Sequence, residues 1–238
     1  MASHSFVLLH GAFHGAWCWR EVARLLRQHG HQVTTPTQTG LGERHHLLSP
    51  SITVETFIED LVEHIRYSEV SDAVLVGHSF GGIALAGAAD RIPARIRQLI
   101  FLDSRIVQNG QSAFDTTPPE LVAQRRAQAA EHGNLFLPPP PAESFGVPAG
   151  KKADRVNRLL TPHPFATFES RVRLAHPLGN GLPCTYIACT RPATASLAPS
   201  RTWAREQPRW GYRELETGHD AMITAPLETA KLLMELAE

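Results

Sequence analysis

The sequence predicts an α/β domain: a mostly parallel sheet flanked by helices on both faces, with a helical segment inserted late in the sheet. Three features predict it. Short apolar runs alternate with amphipathic stretches over the first hundred residues, the pattern of repeated strand–helix–strand units. The clearest of these runs, residues 73–77, is apolar throughout, as in a strand buried on both faces. And 13 of the 18 prolines fall between Pro118 and Pro199, where the alternation stops.

Residues 6–9 form the first strand, followed by a glycine-rich turn and a helix over 17–28 that Gly30 closes. A second strand spans 31–35 and halts at Pro36. Thr53 stands as the N-cap of an amphipathic helix over 54–67. Residues 73–77 make the third strand, 80–91 a helix and 98–103 the next strand. Between 106 and 181 helical pieces occur at 119–131 and 151–160, residues 138–141 are all proline, and no strand is expected. The sheet resumes at 184–190 and 211–215, with a short helix near 202–206 between them and a last helix over 227–236. The expected organisation is a core of 1–105 and 182–238, with a helical cap inserted at 106–181.

Composition narrows the function. The 238 residues carry 23 Lys and Arg against 23 Asp and Glu, a formal net charge of zero. Without a basic excess or stripe, phosphate contacts lack their driving force, so no nucleic-acid partner is expected. Three cysteines, Cys18, Cys184 and Cys189, are an odd count without C-x-x-C spacing and read as reduced thiols. No apolar run approaches the ~20 residues of a membrane span. The N-terminal run lacks a basic n-region. A cytoplasmic protein with no membrane partner is expected.

The chemistry concentrates in Gly77-His78-Ser79-Phe80-Gly81, a G-x-S-x-G pentapeptide lying between an apolar strand and a helix. A serine in that tight turn projects its hydroxyl clear of the sheet. Such a hydroxyl needs a base, and His219 stands after the last strand and before the final helix, where this architecture places one. An oxyanion hole calls for two backbone N–H donors. Phe80, next after Ser79, is one. Ala12 is the other, in the turn His10-Gly11-Ala12-Phe13-His14-Gly15, with Phe13 second choice. His10 and His14 read as residues that order this turn.

At these residues the chain resembles the α/β-hydrolase-fold plant methylesterases and hydroxynitrile lyases, and bacterial esterases that include pyrethroid-hydrolase-like enzymes. The resemblance lies in residues 6–19, in 74–82 and in Gly218-His219-Asp220-Ala221-Met222, and covers most of the chain outside 106–181. It implies a hydrolase of small esters that uses no metal and no cofactor. In that family the triad acid follows the strand equivalent to 185–190, in a segment like Cys-Thr-Glu-Asp. Here the segment reads Cys189-Thr190-Arg191-Pro192, and no Asp or Glu occurs between Arg171 and Arg205. Haloalkane dehalogenases and some lipases place the acid instead at the end of the strand after the nucleophile helix. That strand here ends Phe101-Leu102-Asp103, so Asp103 is the expected partner of His219. Asp103 as a residue that only caps the entry to the inserted segment, Asp220 as the acid, and a water-assisted Ser–His dyad are the alternatives.

Glu43-Arg44-His45-His46 lacks metal-ligand spacing and reads as a polar loop. Lys151, Lys152, Arg155 and Arg158 read as a solvated helix face. Phe13, Phe136 and Phe165 are the expected pocket residues, with core of the inserted segment as the alternative for Phe136, Phe145, Phe165 and Phe168. The function expected is hydrolysis of small hydrophobic carboxylic esters through Ser79, His219 and Asp103, with a small-molecule ester as partner. A hydrolase-like binder with little turnover is the first alternative. A lyase is the second, although those enzymes carry Thr where Gly11 stands and Lys where Asp220 stands.

Overall fold

Six parallel strands form the centre of the computed structural model, which describes residues 3–238. In chain order the elements are β1 (Ser5–Leu9), α1 (Arg20–Gln28), β2 (Gln32–Thr34), α2 (Val54–Tyr67), β3 (Ala73–His78), α3 (Gly81–Arg91) and β4 (Ile96–Leu102). Then come α4 (Pro119–Ala130), β5 (Phe136–Leu137), α5 (Lys151–Leu159), β6 (His163–Pro164) and α6 (Ala166–Glu169). The chain ends with β7 (Cys184–Cys189), α7 (Ala198–Glu206), β8 (Trp210–Leu215), α8 (Ala221–Thr224) and α9 (Pro226–Ala237).

The sheet order is β2-β1-β3-β4-β7-β8, every adjacent pair parallel. Strand order reverses beside β1, which has β2 on one side and β3 on the other. Ligand crevices of open parallel sheets form at the carboxyl ends of the strands flanking such a reversal.

Burial follows the two-residue period of the strands. Val7, Leu9, Leu75, Leu99 and Phe101 face one core with α2 and α3. Phe6, Leu8, Val74, Val76, Ile100 and Leu102 face a second core with α1 and α9. Both faces are therefore apolar, which is why the β3 run shows no alternation in the sequence. Thr53 precedes α2 as expected, and its N–H donates to Thr56 Oγ1 at 3.2 Å.

The structure departs from the sequence expectation in two places. The first helix begins at Arg20, because Ala16–Trp19 form a 3₁₀ turn that buries Trp19. Residues 106–181 add no strand to the main sheet, yet β5 and β6 pair antiparallel there as a separate ribbon. Two residues per strand span a single period, too short to register as a pattern.

Candidate active site

Ser79 opens the β3-to-α3 turn in the left-handed region, with φ +52°. A non-glycine residue in this region is strained. The end of β4 and the segment after it hold it: its N–H donates to the Leu102 carbonyl at 3.1 Å, and its carbonyl accepts from Arg105 N–H at 3.0 Å. The turn closes only because its neighbours lack side chains. A Cβ on Gly81 would lie 2.5 Å from the His10 carbonyl oxygen, and one on Gly11 would lie 2.7 Å from Ser79 Cβ.

Three side chains from three segments converge at this turn. Ser79 Oγ lies 2.8 Å from His219 Nε2, and His219 Nδ1 lies 2.7 Å from Asp103 Oδ2. With Nδ1–H given to the carboxylate, Nε2 is free to accept the serine proton. Asp103 leaves the end of β4 with φ +38° and is fully buried. Its other oxygen, Oδ1, accepts from Cys189 N–H and from Arg201 Nη1, each at 3.3 Å. Arg201 in turn donates to the Thr194 carbonyl at 2.7 Å. The loop after β7 thus reaches Asp103 only through Arg201 of α7, which bridges it to Thr194, while β7 itself gives the Cys189 N–H.

Around this centre sit four buried histidines, and their partners fix their protonation. His10 Nδ1–H donates to the Gly11 carbonyl at 2.8 Å, while Nε2 accepts Gln38 N–H at 3.1 Å. Burial pushes its pKa down to about 3. His163 Nδ1 accepts Phe13 N–H at 3.2 Å, and burial likewise holds its imidazole well below the usual range. His78 donates through Nε2 to the His219 carbonyl at 2.9 Å and is held neutral by burial and by the neighbouring His219 and His14.

His14 behaves oppositely. Burial pushes its imidazolium down, but the Asp220 carboxylate, together with hydrogen bonds to Asp220 and the Ala12 carbonyl, outweighs burial and raises the pKa. His14 Nε2 lies 3.0 Å from Asp220 Oδ2 and Nδ1 lies 2.7 Å from the Ala12 oxygen. One buried ion pair therefore ties the turn after β1 to the residue beside His219. His10 and His14 do order that turn, as their sequence setting suggests. Asp220 is committed to His14 and to the approach of His78, at 3.9 Å.

Ser79 and His219 open into a cavity of about 570 Å³. Ala12, Phe13, Phe80, Phe145 and Phe168 line it. Phe136 and Phe165 do not, so the pocket role expected of them is not borne out. Phe136 stacks on His132 with centroids 4.4 Å apart, while its strand neighbour Leu137 faces the cavity, as the alternation of β5 requires. Phe165 is buried against Phe114, and Phe168, one helical turn on, takes the cavity wall. Phe13 N–H is given to His163, whereas the Ala12 and Phe80 N–H groups have no acceptor among the described residues. A second hollow, lined by Thr53, Glu55, Arg91, Ser170, Arg171 and Arg173, shares no residue with this one.

Sequence reasoning missed the roles of His163, Arg201, Arg105 and Arg125. The last two also line the cavity. Their contacts join segments far apart in the chain, and no local motif marks them. The count of thirteen histidines was the one available hint.

Comparison with known proteins agrees with this geometry. The model of the alpha/beta hydrolase family matches residues 6–232. The chain is 39% identical over 244 residues to a carbendazim hydrolyzing esterase of Nocardioides sp. (strain SG-4G), spanning 98% of this chain and 99% of that one. It is 29% identical over 258 residues to methylesterase 10 of Arabidopsis thaliana, spanning 98% and 92% respectively. An extracellular alpha/beta-hydrolase from a Paenibacillus species superposes with a TM-score of 0.87 at 25% identity over 98% of each chain. The resemblance drawn from the turn after β1, the serine turn and the histidine segment holds over nearly the whole length, and the chain belongs to the alpha/beta hydrolase family.

Proposed function

We propose that this protein is a serine esterase that cleaves small carboxylic esters through an acyl-enzyme, with Ser79 as nucleophile, His219 as base and Asp103 as the acid. The observation that carries the reading is the chain of contacts Ser79 Oγ–His219–Asp103, at 2.8 and 2.7 Å, opening into a cavity beside two unengaged backbone N–H groups. Ser79 attacks the ester carbonyl as His219 Nε2 takes its proton, and Asp103 stabilises the imidazolium. The Ala12 and Phe80 N–H groups hold the oxyanion, each such donor being worth about 3 kcal/mol in the transition state. Phe13 is unsuited to that role because its N–H is spent on His163. His219 then protonates the leaving alcohol, and activates the water that releases the acid. Residues 106–181 act as the cap over this cavity, supplying Phe145 and Phe168 to its wall. The protein acts in the cytoplasm.

The test is a fluorophosphonate probe followed by mass spectrometry, run beside a panel of p-nitrophenyl and methyl esters of increasing chain length. The expected outcome is a single adduct on Ser79 and turnover that Ser79→Ala abolishes. A wild-type protein that neither labels nor turns over any ester overturns the reading and favours a binder.

A further inference from the structure

Among the described residues, the Ser79 cavity is lined by two arginines and no carboxylate. Arg105 and Arg125 both line it, and none of its wall residues is Asp or Glu. Arg105 follows Asp103 by two residues, is 6% exposed, and its backbone N–H holds the Ser79 carbonyl. Its Nη1 donates to the Thr116 carbonyl at 3.0 Å and to Thr116 Oγ1 at 3.1 Å. Both acceptors are neutral. Arg125 lies over the Phe168 ring, 5.1 Å from its centroid, and Phe168 packs on Phe80, so the guanidinium stands two rings from the nucleophile turn. Its Nη1 is buried with no acceptor among the described residues. The adjacent Arg126, by contrast, points outward and pairs with Glu169 at 3.0 Å.

A buried Arg105 and a half-buried Arg125, with no carboxylate paired to either among the described residues, oppose folding, because a desolvated charge needs a partner. Burial, and next the charge of Arg125, push Arg105 down to about 10, and burial lowers Arg125 as well; a guanidinium nonetheless keeps its charge at neutral pH. The cavity that both side chains line is where an anion can pair with them. A guanidinium's planar fork matches a carboxylate, and its face stacks on an aromatic ring while its edge binds.

We infer that Arg105 and Arg125 form an anion subsite, and that the preferred substrates are esters carrying a carboxylate remote from the scissile carbonyl. This rests on the esterase reading and narrows it, since the expected apolar pocket has one cationic end.

Matched ester pairs test it. Para-nitrophenyl hemiglutarate against p-nitrophenyl pentanoate places the anion on the acyl side, and 4-acetoxybenzoate against phenyl acetate places it on the alcohol side. In at least one pair, Arg125→Gln is expected to lower the charged-to-neutral ratio of kcat/KM at least tenfold, mainly through KM. Arg126→Gln, outside the cavity, should leave both ratios at the wild-type level. Ratios for Arg125→Gln within twofold of wild type in both pairs overturn the inference. Calorimetric titration of Ser79→Ala with monomethyl glutarate and with 4-acetoxybenzoate supplies an arm that needs no turnover. Binding of either anion should weaken at least tenfold when Arg125→Gln is added, and the absence of any binding, or of that weakening, overturns the subsite. If wild type hydrolyses no ester, the esterase reading falls while the titrations still decide the arginines.

Discussion

Asp103 is held by four neighbours at once: His219, Cys189 N–H and Arg201 on its carboxylate, and the Ile187 carbonyl on its backbone N–H at 2.7 Å. Asp103→Asn keeps the shape but withdraws the negative charge that orients His219. On the proposed assignment kcat falls by roughly three to four orders of magnitude with the far-UV circular dichroism unchanged, and near-wild-type turnover would refute it. Asp220 is the second buried acid and serves structure. Asp220→Ala leaves His14 without its counter-ion, and the expected loss is about 3 kcal/mol in urea unfolding. Gly11 has a different sensitivity. Any side chain there must share space with Ser79 Cβ, so Gly11→Thr should lower ester turnover more than tenfold, read by steady-state kinetics. Ser79 and Phe80 are legible in the sequence because a motif of five consecutive residues fixes them. His163 is not, since its bond to Phe13 joins positions 150 residues apart.

At the level of elements, α3 is built from small residues so that it can lie close to its neighbours. Gly82 lies against Ser104 and Gly87 against Ile58, whose Cδ1 would be 2.4 Å from a Cβ on Gly87. The glycine-and-alanine face of α3 and the bulky face of α2 are thus one joint. Gly87→Leu should destabilise the protein by about 2 kcal/mol, seen as a lowered denaturant midpoint with unchanged slope. The strands and long helices of the two cores were legible because apolar runs and the 3.6-residue period are repeated over many positions. The β5–β6 ribbon and the 3₁₀ turn at Ala16–Trp19 were not, because each is decided by contacts and by fewer residues than one clear period needs.

For the whole molecule, the balance of acids and bases hides a strong response to pH. His10, His78 and His163 are buried neutral, and burial is the leading cause in each. Their unfolded forms bind protons below about pH 6.5 and their folded forms do not. The stability they contribute is present above that value and drains away on acidification, for His10 down to about pH 3. His14 has the opposite sign: its contribution is complete below its ordinary pKa and lost as pH rises through its raised one. The melting temperature should therefore fall steadily from pH 6.5 toward pH 4, and decline gently on the alkaline side. Scanning calorimetry across that range checks both slopes, and a flat acid limb would contradict the neutral assignments. On the proposed assignment the acid stands at the end of β4 and not in the loop after β7. The loop after β7 holds no carboxylate of its own, yet Thr194, Ser196 and Leu197 face the cavity. On the proposed assignment that loop is released from proton chemistry and open to variation: exchanging a residue such as Ser196 is expected to change which esters enter, while Asp103 stays held at the end of its strand.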